Sequence, residues 1–239
     1  MTIISNTVAY LHDEVVLEGF FAYDDSLSGQ RPVVLIHHAW CGRDEFVANK
    51  AKELAKLGYL AFATDMYGKG VLGSTPDECG ELMQPFMQNR SLLQKRLIAA
   101  LVAVKLLPWA DNKRIAAIGF CFGGLCSLDL ARTGIELCGV VSFHGLLSPP
   151  ENIPNPVINA KVLVLHGHDD PMAPPTQVLA LQTELSAAKV DWQVHSYGQT
   201  MHAFTNPVAN DPDFGTVYNA KADQRSWVAM QNFLHEVFS

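Results

Sequence analysis

A chain of 239 residues with 49% hydrophobic and 17% charged side chains carries enough apolar surface for one sizeable core. Its net charge of -7, with no run of Lys or Arg, excludes nucleic acid as a partner, because a polyanion is held by clustered cations. No stretch of about 18 apolar residues occurs, and the opening MTIISNTVAYLHDEVV lacks the basic start, apolar stretch and small-residue cleavage site of a secretory signal, so no membrane partner and a cytoplasmic location are expected.

Two short alternating segments at 7–11 and 15–22, with His12 and Asp13 between them, predict a hairpin. The rhythm then changes. A bounded apolar strand (32–38), an amphipathic helix (44–58) stopped by Gly58 and a further strand (59–65) make a βαβ unit. Glycine and turn formers at 66–80 read as a loop, and apolar spacing from 81 to 107 as one or two helices ending before Pro108. There follow strand 114–120, helix 122–132, strand 138–145, a proline-rich loop at 148–156 and strand 161–167. A helix to about 189, strand 191–198, a loop to about 218 and a terminal helix 219–238 complete the chain. Continuous apolar strands alternating with helices require a mostly parallel sheet covered on both faces, so the fold class is α/β, expected as one domain over 1–239. Cys41, Cys79, Cys121, Cys126 and Cys138 are odd in number and lack C-x-x-C spacing, which predicts free thiols.

In sheets of this kind functional groups gather beyond the carboxyl ends of the strands. Cys121, Asp170 and His202 each follow a separate strand there. The segment IGFCFGG (118–124) has the spacing of a nucleophile elbow with cysteine as the nucleophile, and glycine at 119, 123 and 124 leaves room for the strained turn. The helix that starts behind Cys121 points its amides and positive dipole end at the sulfur, favouring thiolate. A small core cysteine is the bland alternative. HGHDDP (166–171) has the acid-turn spacing H-G-x-x-D, selecting Asp170 over its solvated neighbour Asp169, and His202 lies in a patternless loop. Nucleophile, acid, histidine is the chain order of α/β-hydrolase triads. Backbone N–H groups of Phe122 and Ala39 are the expected oxyanion donors.

These residues resemble the dienelactone hydrolases (carboxymethylenebutenolidases) along nearly the whole chain, through VVLIHHAWCGRDEFVANKAKELAKLGYLAFATDMYGKG, GFCFGG, HGHDDPMAP, MHAFTNP and YNAKADQRSWVAMQNFL. The resemblance implies an α/β-hydrolase fold, a Cys121–Asp170–His202 triad and a cofactor-free hydrolase opening an enol lactone in aromatic-compound breakdown. Two positions depart from the family pattern: His38 stands where a glutamate contacts the resting thiol, and Asn206 where an arginine binds the substrate carboxylate. Both bear on the substrate rather than on the triad.

A thiolate attacks well but also leaves well, so its adduct goes forward only with a good leaving group: enol esters, aryl esters and thioesters fit, amides do not. The span between Asp65 and the next helix is too short for a large lid domain, which favours small substrates. His38, Trp40, Tyr67, Phe86 and His144 are candidate pocket residues, and Arg90 and Arg96 candidates to meet an anion, although a solvated helix face explains these two more simply. No metal is expected, since His37, His38, His166 and His168 lack helical H-x-x-x-H spacing, and a dinucleotide site fails because Cys121 stands where G-x-G-x-x-G needs glycine. The chain is expected to be a monomer or homodimer acting on a small ester or lactone. The rival is a binding or regulatory protein on a hydrolase scaffold, which has no need of all three triad residues.

Overall fold

Alternating side chains near the amino terminus form the expected hairpin, longer at both ends than the pattern predicts: β1 (Ile3–His12) pairs antiparallel with β2 (Val15–Asp24). Asp13 turns the chain between them on left-handed backbone at φ 53°, which a short side chain able to bond locally tolerates. The computed structural model describes residues 1–151, 153 and 157–239. Positions 152 and 154–156, in the predicted proline-rich loop at 148–156, lie outside the described residues.

The chain divides into two compact units, Met1–Ala117 and Ile118–Ser239. In the first, β3 (Arg31–His37) runs parallel to β4 (Leu60–Ala63), and β2 pairs antiparallel with β4. Between β3 and β4, Asp44 caps α1 (Glu45–Lys56) by accepting the Val47 N–H at 3.3 Å, satisfying a first-turn donor that the helix cannot. The helix buries Val47, Ala51, Leu54 and Ala55, a single apolar stripe. Gly58 follows its end at φ 93°, a conformation that glycine adopts without strain.

The segment 66–80 is loop only as far as Thr75. Thr75 Oγ1 accepts the Glu78 N–H and Pro76 takes the first helical position, so α2 (Pro76–Gln88) begins inside the expected loop. Asn89 then caps α3 (Arg90–Lys105) by accepting the Leu92 N–H at 3.0 Å. Arg90 and Arg96 are 8% and 5% exposed, which overturns the solvated-face reading. Arg96 donates to the Met66 carbonyl oxygen (2.8 Å) and to His12 Nδ1 (3.1 Å) and lies over the Phe86 ring. It is a strut inside the first unit.

Cys41 and Cys79 form a disulfide with Cα atoms 4.5 Å apart, so the expectation of five free thiols holds only for Cys121, Cys126 and Cys138. The bond joins the turn after β3 to α2. Close approach of segment 71–73 assists it: the Gly73 N–H donates to the Cys41 carbonyl oxygen at 2.9 Å, and a Cβ at Gly73 would stand 2.7 Å from the Cys79 sulfur. The partners lie 38 residues apart, a pairing made by tertiary packing and invisible to local cysteine spacing. Closing a loop of that length restricts the unfolded chain by about 4 kcal/mol in the chain-entropy account. The expected result is a lower melting temperature for Cys41→Ser, and for the wild type under dithiothreitol, in calorimetry. An unchanged melt after verified reduction overturns the stabilising role.

The second unit carries α4 (Phe122–Arg132), β6 (Gly139–Phe143), β7 (Lys161–Gly167), α5 (Pro175–Ala187), β8 (Trp192–Tyr197) and α6 (Ala220–Val237). β7 pairs in parallel with β6 and with β8. The loop expected between β8 and α6 contains a small ladder of its own, β9 (Asn210–Asp211) with β10 (Thr216–Val217). The strands of the first unit lie in the order β1-β2-β4-β3 and those of the second in the order β6-β7-β8, with β5 (Ala110–Phe120) carrying the chain from one unit into the other. Among the described residues no helix is long and apolar enough to cross a membrane, and no large lid domain interrupts the order of elements.

Every residue of α4 is buried, the charged pair Asp129 and Arg132 included, among otherwise small or apolar side chains. Its one buried cation, Arg132, is fully engaged. It pairs with Asp129 at 3.2 Å, grips Glu184 of α5 through Nε (2.8 Å) and Nη2 (2.7 Å), and donates to the Leu147 carbonyl oxygen at 3.1 Å. Removing one partner of such a network strands a buried charge. The helix behind Cys121 is thereby clamped at its far end.

Candidate active site

Cys121 sits between the last residue of β5 and the first of α4 with φ 57° and ψ -118°. A non-glycine residue held there is strained and must be fixed by its surroundings. The Cys121 N–H donates to the Phe143 carbonyl oxygen at 3.0 Å, and its own carbonyl accepts the Gly124 N–H at 2.9 Å. The tight bend also explains the glycines. A Cβ at Gly119 would collide with the Gly123 backbone, and one at Gly124 would stand 2.7 Å from the Gly145 Cα. Cys121 is only partly buried.

Asp170 lies just beyond β7 and is 2% exposed, whereas Asp169 is exposed. The two carboxylate oxygens of Asp170 have separate partners. Oδ1 accepts the N–H groups of Met172 (2.8 Å) and Ala173 (3.3 Å), and Oδ2 lies 2.7 Å from Nδ1 of His202. His202 comes from the loop after β8 and is held on both sides of its peptide, its N–H donating to Gly215 (3.0 Å) and its carbonyl accepting from Val217 (3.1 Å). Thr216 forms a bridge with it, the ordering that its sequence context did not reveal.

Burial pulls the His202 imidazole down, but the nearby Cys121 sulfur, through charge and hydrogen bonding, and the bond to Asp170 outweigh it and raise the group to about 10. The buried Nε2 has no aligned hydrogen-bond partner among the described residues. The Cys121 sulfur is the strongest influence raising this imidazole. Cys121, Asp170 and His202 thus come together inside the second unit.

Phe122, the expected oxyanion donor beside the nucleophile, opens α4 and is fully buried. In the first unit, His38, Tyr67 and Phe86 form a chain of ring contacts (4.9 and 5.6 Å), and the Tyr67 hydroxyl donates to the Trp40 carbonyl oxygen at 2.7 Å. His38 is buried, which lowers its pKa. Its Nδ1–H donates to the Ala39 carbonyl oxygen at 2.6 Å and its Nε2 accepts the Met66 N–H at 3.2 Å. Both nitrogens are committed to the backbone, so this imidazole shapes the Ala39 turn. His144 is buried beside His202, bonded to Thr205. Asn206 makes a turn, its Oδ1 accepting the Val208 N–H at 3.3 Å. Among the described residues no group of three or more His, Cys, Asp or Glu is placed to hold a metal ion.

The profile of the Dienelactone hydrolase family matches residues 17–238. The chain belongs to this family. The fold agrees: the dienelactone hydrolase-like promiscuous phosphotriesterase P91 from metagenomic libraries is 36% identical with a TM-score of 0.92, the alignment covering 99% of each chain. A structure named m3DLH is 34% identical with a TM-score of 0.94, again over 99% of each. An uncharacterized protein of Caenorhabditis elegans is 41% identical over 150 residues, 62% of this chain and 95% of its own. The protein is accordingly a carboxylic ester hydrolase of the dienelactone hydrolase family with an α/β-hydrolase fold.

Proposed function

We propose that the protein hydrolyses small activated esters or enol lactones through a thioester on Cys121, with His202 as general base and acid and Asp170 as its orienting carboxylate. The observation that carries this reading is the buried 2.7 Å bond from Asp170 to His202 in the same unit as a cysteine held at φ 57°. Nε2 of His202 holds the proton given up by the Cys121 thiol, and the sulfur attacks the substrate carbonyl. The Phe122 N–H meets the oxyanion. Ala39, the second expected donor, lies in the turn whose carbonyl His38 holds. As the adduct collapses, the C–O bond breaks and His202 returns the proton to the departing oxygen. Water, deprotonated by His202, then cleaves the thioester, while Asp170 stays ionised and keeps the proton on Nδ1.

The likeness to P91 supports phosphotriesters as a second electrophile class for the same thiolate. The test is a panel of p-nitrophenyl acetate, a cis-dienelactone, an acyl anilide and a dialkyl p-nitrophenyl phosphate, with mass spectrometry of rapidly quenched enzyme. The expected result is turnover of the aryl ester and no turnover of the anilide, with an acyl adduct on the peptide containing Cys121. An adduct elsewhere, or anilide hydrolysis as fast as ester hydrolysis, defeats the thioester reading. Absence of turnover across the panel returns the binding-protein alternative.

A further inference from the structure

His144 has no part in the reaction just described, yet it combines three features that rarely coincide. It follows β6 directly on left-handed backbone, φ 37°, a strained conformation for a histidine. The residue is 3% exposed, too enclosed to present much surface to a substrate. Its ring stands 5.1 Å from that of His202 at an interplanar angle of 66°, and 5.1 Å from Phe204 at 79°. Its backbone stays anchored, the N–H donating to the Leu165 carbonyl oxygen at 2.8 Å.

One polar bond fixes the ring itself. Nε2 lies 2.7 Å from Thr205 Oγ1, and Thr205 is 1% exposed. The loop that delivers His202 thus meets His144 three times in four residues: at His202, at Phe204 and at Thr205. Burial first, and then the charge of His202, hold His144 well below the ordinary histidine range, so the second imidazole stays neutral while the first carries a proton. The bond to Asp170 fixes His202 at one nitrogen and leaves the ring able to pivot about it. A wall is needed on the face that pivoting would sweep.

We propose that His144, locked by Thr205, is a positioning residue that sets the tilt of the His202 ring and so aims Nε2 at the Cys121 sulfur. The proposal rests on the reading of Cys121, Asp170 and His202 as the reacting group. Misplacing a reacting nitrogen by about 1 Å can cost as much as 100-fold in rate, and a ring held at only one edge is free to move by that much. A neutral neighbour does this without adding a competing charge.

Thr205→Val keeps the shape and deletes the hydroxyl, Thr205→Ser restores it, and His144→Asn deletes the ring at a backbone conformation that asparagine accepts. Each is assayed on p-nitrophenyl acetate, with rates expressed per titrated Cys121 thiol so that misfolded protein does not count. In parallel, the imidazole N–H proton of His202 on Asp170 is followed by NMR. The expected result is a kcat about tenfold lower or more for Thr205→Val and His144→Asn, with KM within about twofold, recovery in Thr205→Ser, and a shifted or broadened His202 signal. A raised KM with unchanged kcat makes His144 a pocket residue and overturns the proposal. Normal kcat with an unmoved His202 signal overturns it as well. If wild type shows no Cys121-dependent turnover but the His202 signal moves in Thr205→Val, the reaction assigned to the site fails and the positioning stands.

Discussion

Replacing Cys121 with alanine is expected to lower the turnover of an aryl acetate by roughly 1000-fold or more, because removal of the nucleophile in a triad leaves only binding and oxyanion stabilisation. The fold should survive. Alanine is smaller than cysteine and the φ of 57° is already accommodated by the bonds from Phe143 and Gly124, so the variant should still fold, with a melting temperature below that of the wild type near neutral pH because the largest influence raising His202 is gone. Serine is the more telling exchange. It restores an oxygen nucleophile of similar size, but at neutral pH a hydroxyl carries no negative charge to hold the His202 proton, and that charge is the largest influence raising the imidazole toward about 10. Cys121→Ser should therefore recover only a small part of the rate, and iodoacetamide should label the wild type at Cys121 and leave both variants unlabelled there. A Cys121→Ala enzyme that keeps more than about a tenth of the turnover, measured on protein of verified mass, sinks the thioester mechanism.

The parts of this arrangement that could be read from the amino acids are those governed by local sterics. Gly119 and Gly124 announce a bend too tight for side chains, and the structure shows what a Cβ would strike at each. Helix α4 begins and ends where the pattern places it, at Phe122 and Arg132, because an all-buried helix behind a sharp turn has an unmistakable composition. Elements fixed by partners far along the chain were not legible. The Cys41–Cys79 bond, the Arg132–Glu184 clamp and the Thr205–His144 contact join residues 38, 52 and 61 positions apart. Nothing in a local window marks them. The early start of α2 was legible in principle, since Thr75, Pro76 and Glu78 form a recognisable beginning, but the surrounding glycines drew the reading toward a loop. His38 was legible as a departure from the family pattern, but the use of both its nitrogens by the backbone of Ala39 and Met66 was not.

Asp170→Asn is expected to lower turnover by about 10 000-fold, through the tautomer of His202 more than through lost charge. Asp170 Oδ1 accepts two backbone N–H groups, from Met172 and Ala173. In the variant the single amide oxygen must remain there, because an NH2 group would face two donors. The NH2 then points at Nδ1 of His202, which must give up its proton to accept. The proton moves to Nε2, the nitrogen that has to receive one from Cys121, and the base is lost at the place it is needed. A pH series separates this from simple unfolding. His202 is raised from 6.5 to about 10 in the folded protein, so its contribution to stability is complete below pH 6.5, declines above it and is gone once the pH passes about 10. Asparagine weakens one of the interactions that raise it. The melting temperature of wild type should exceed that of Asp170→Asn most near pH 6, with the gap narrowing as the pH approaches 10. A gap that widens with pH means that the proton on His202 is not held by Asp170, and the assignment of acid and base in this site is then wrong.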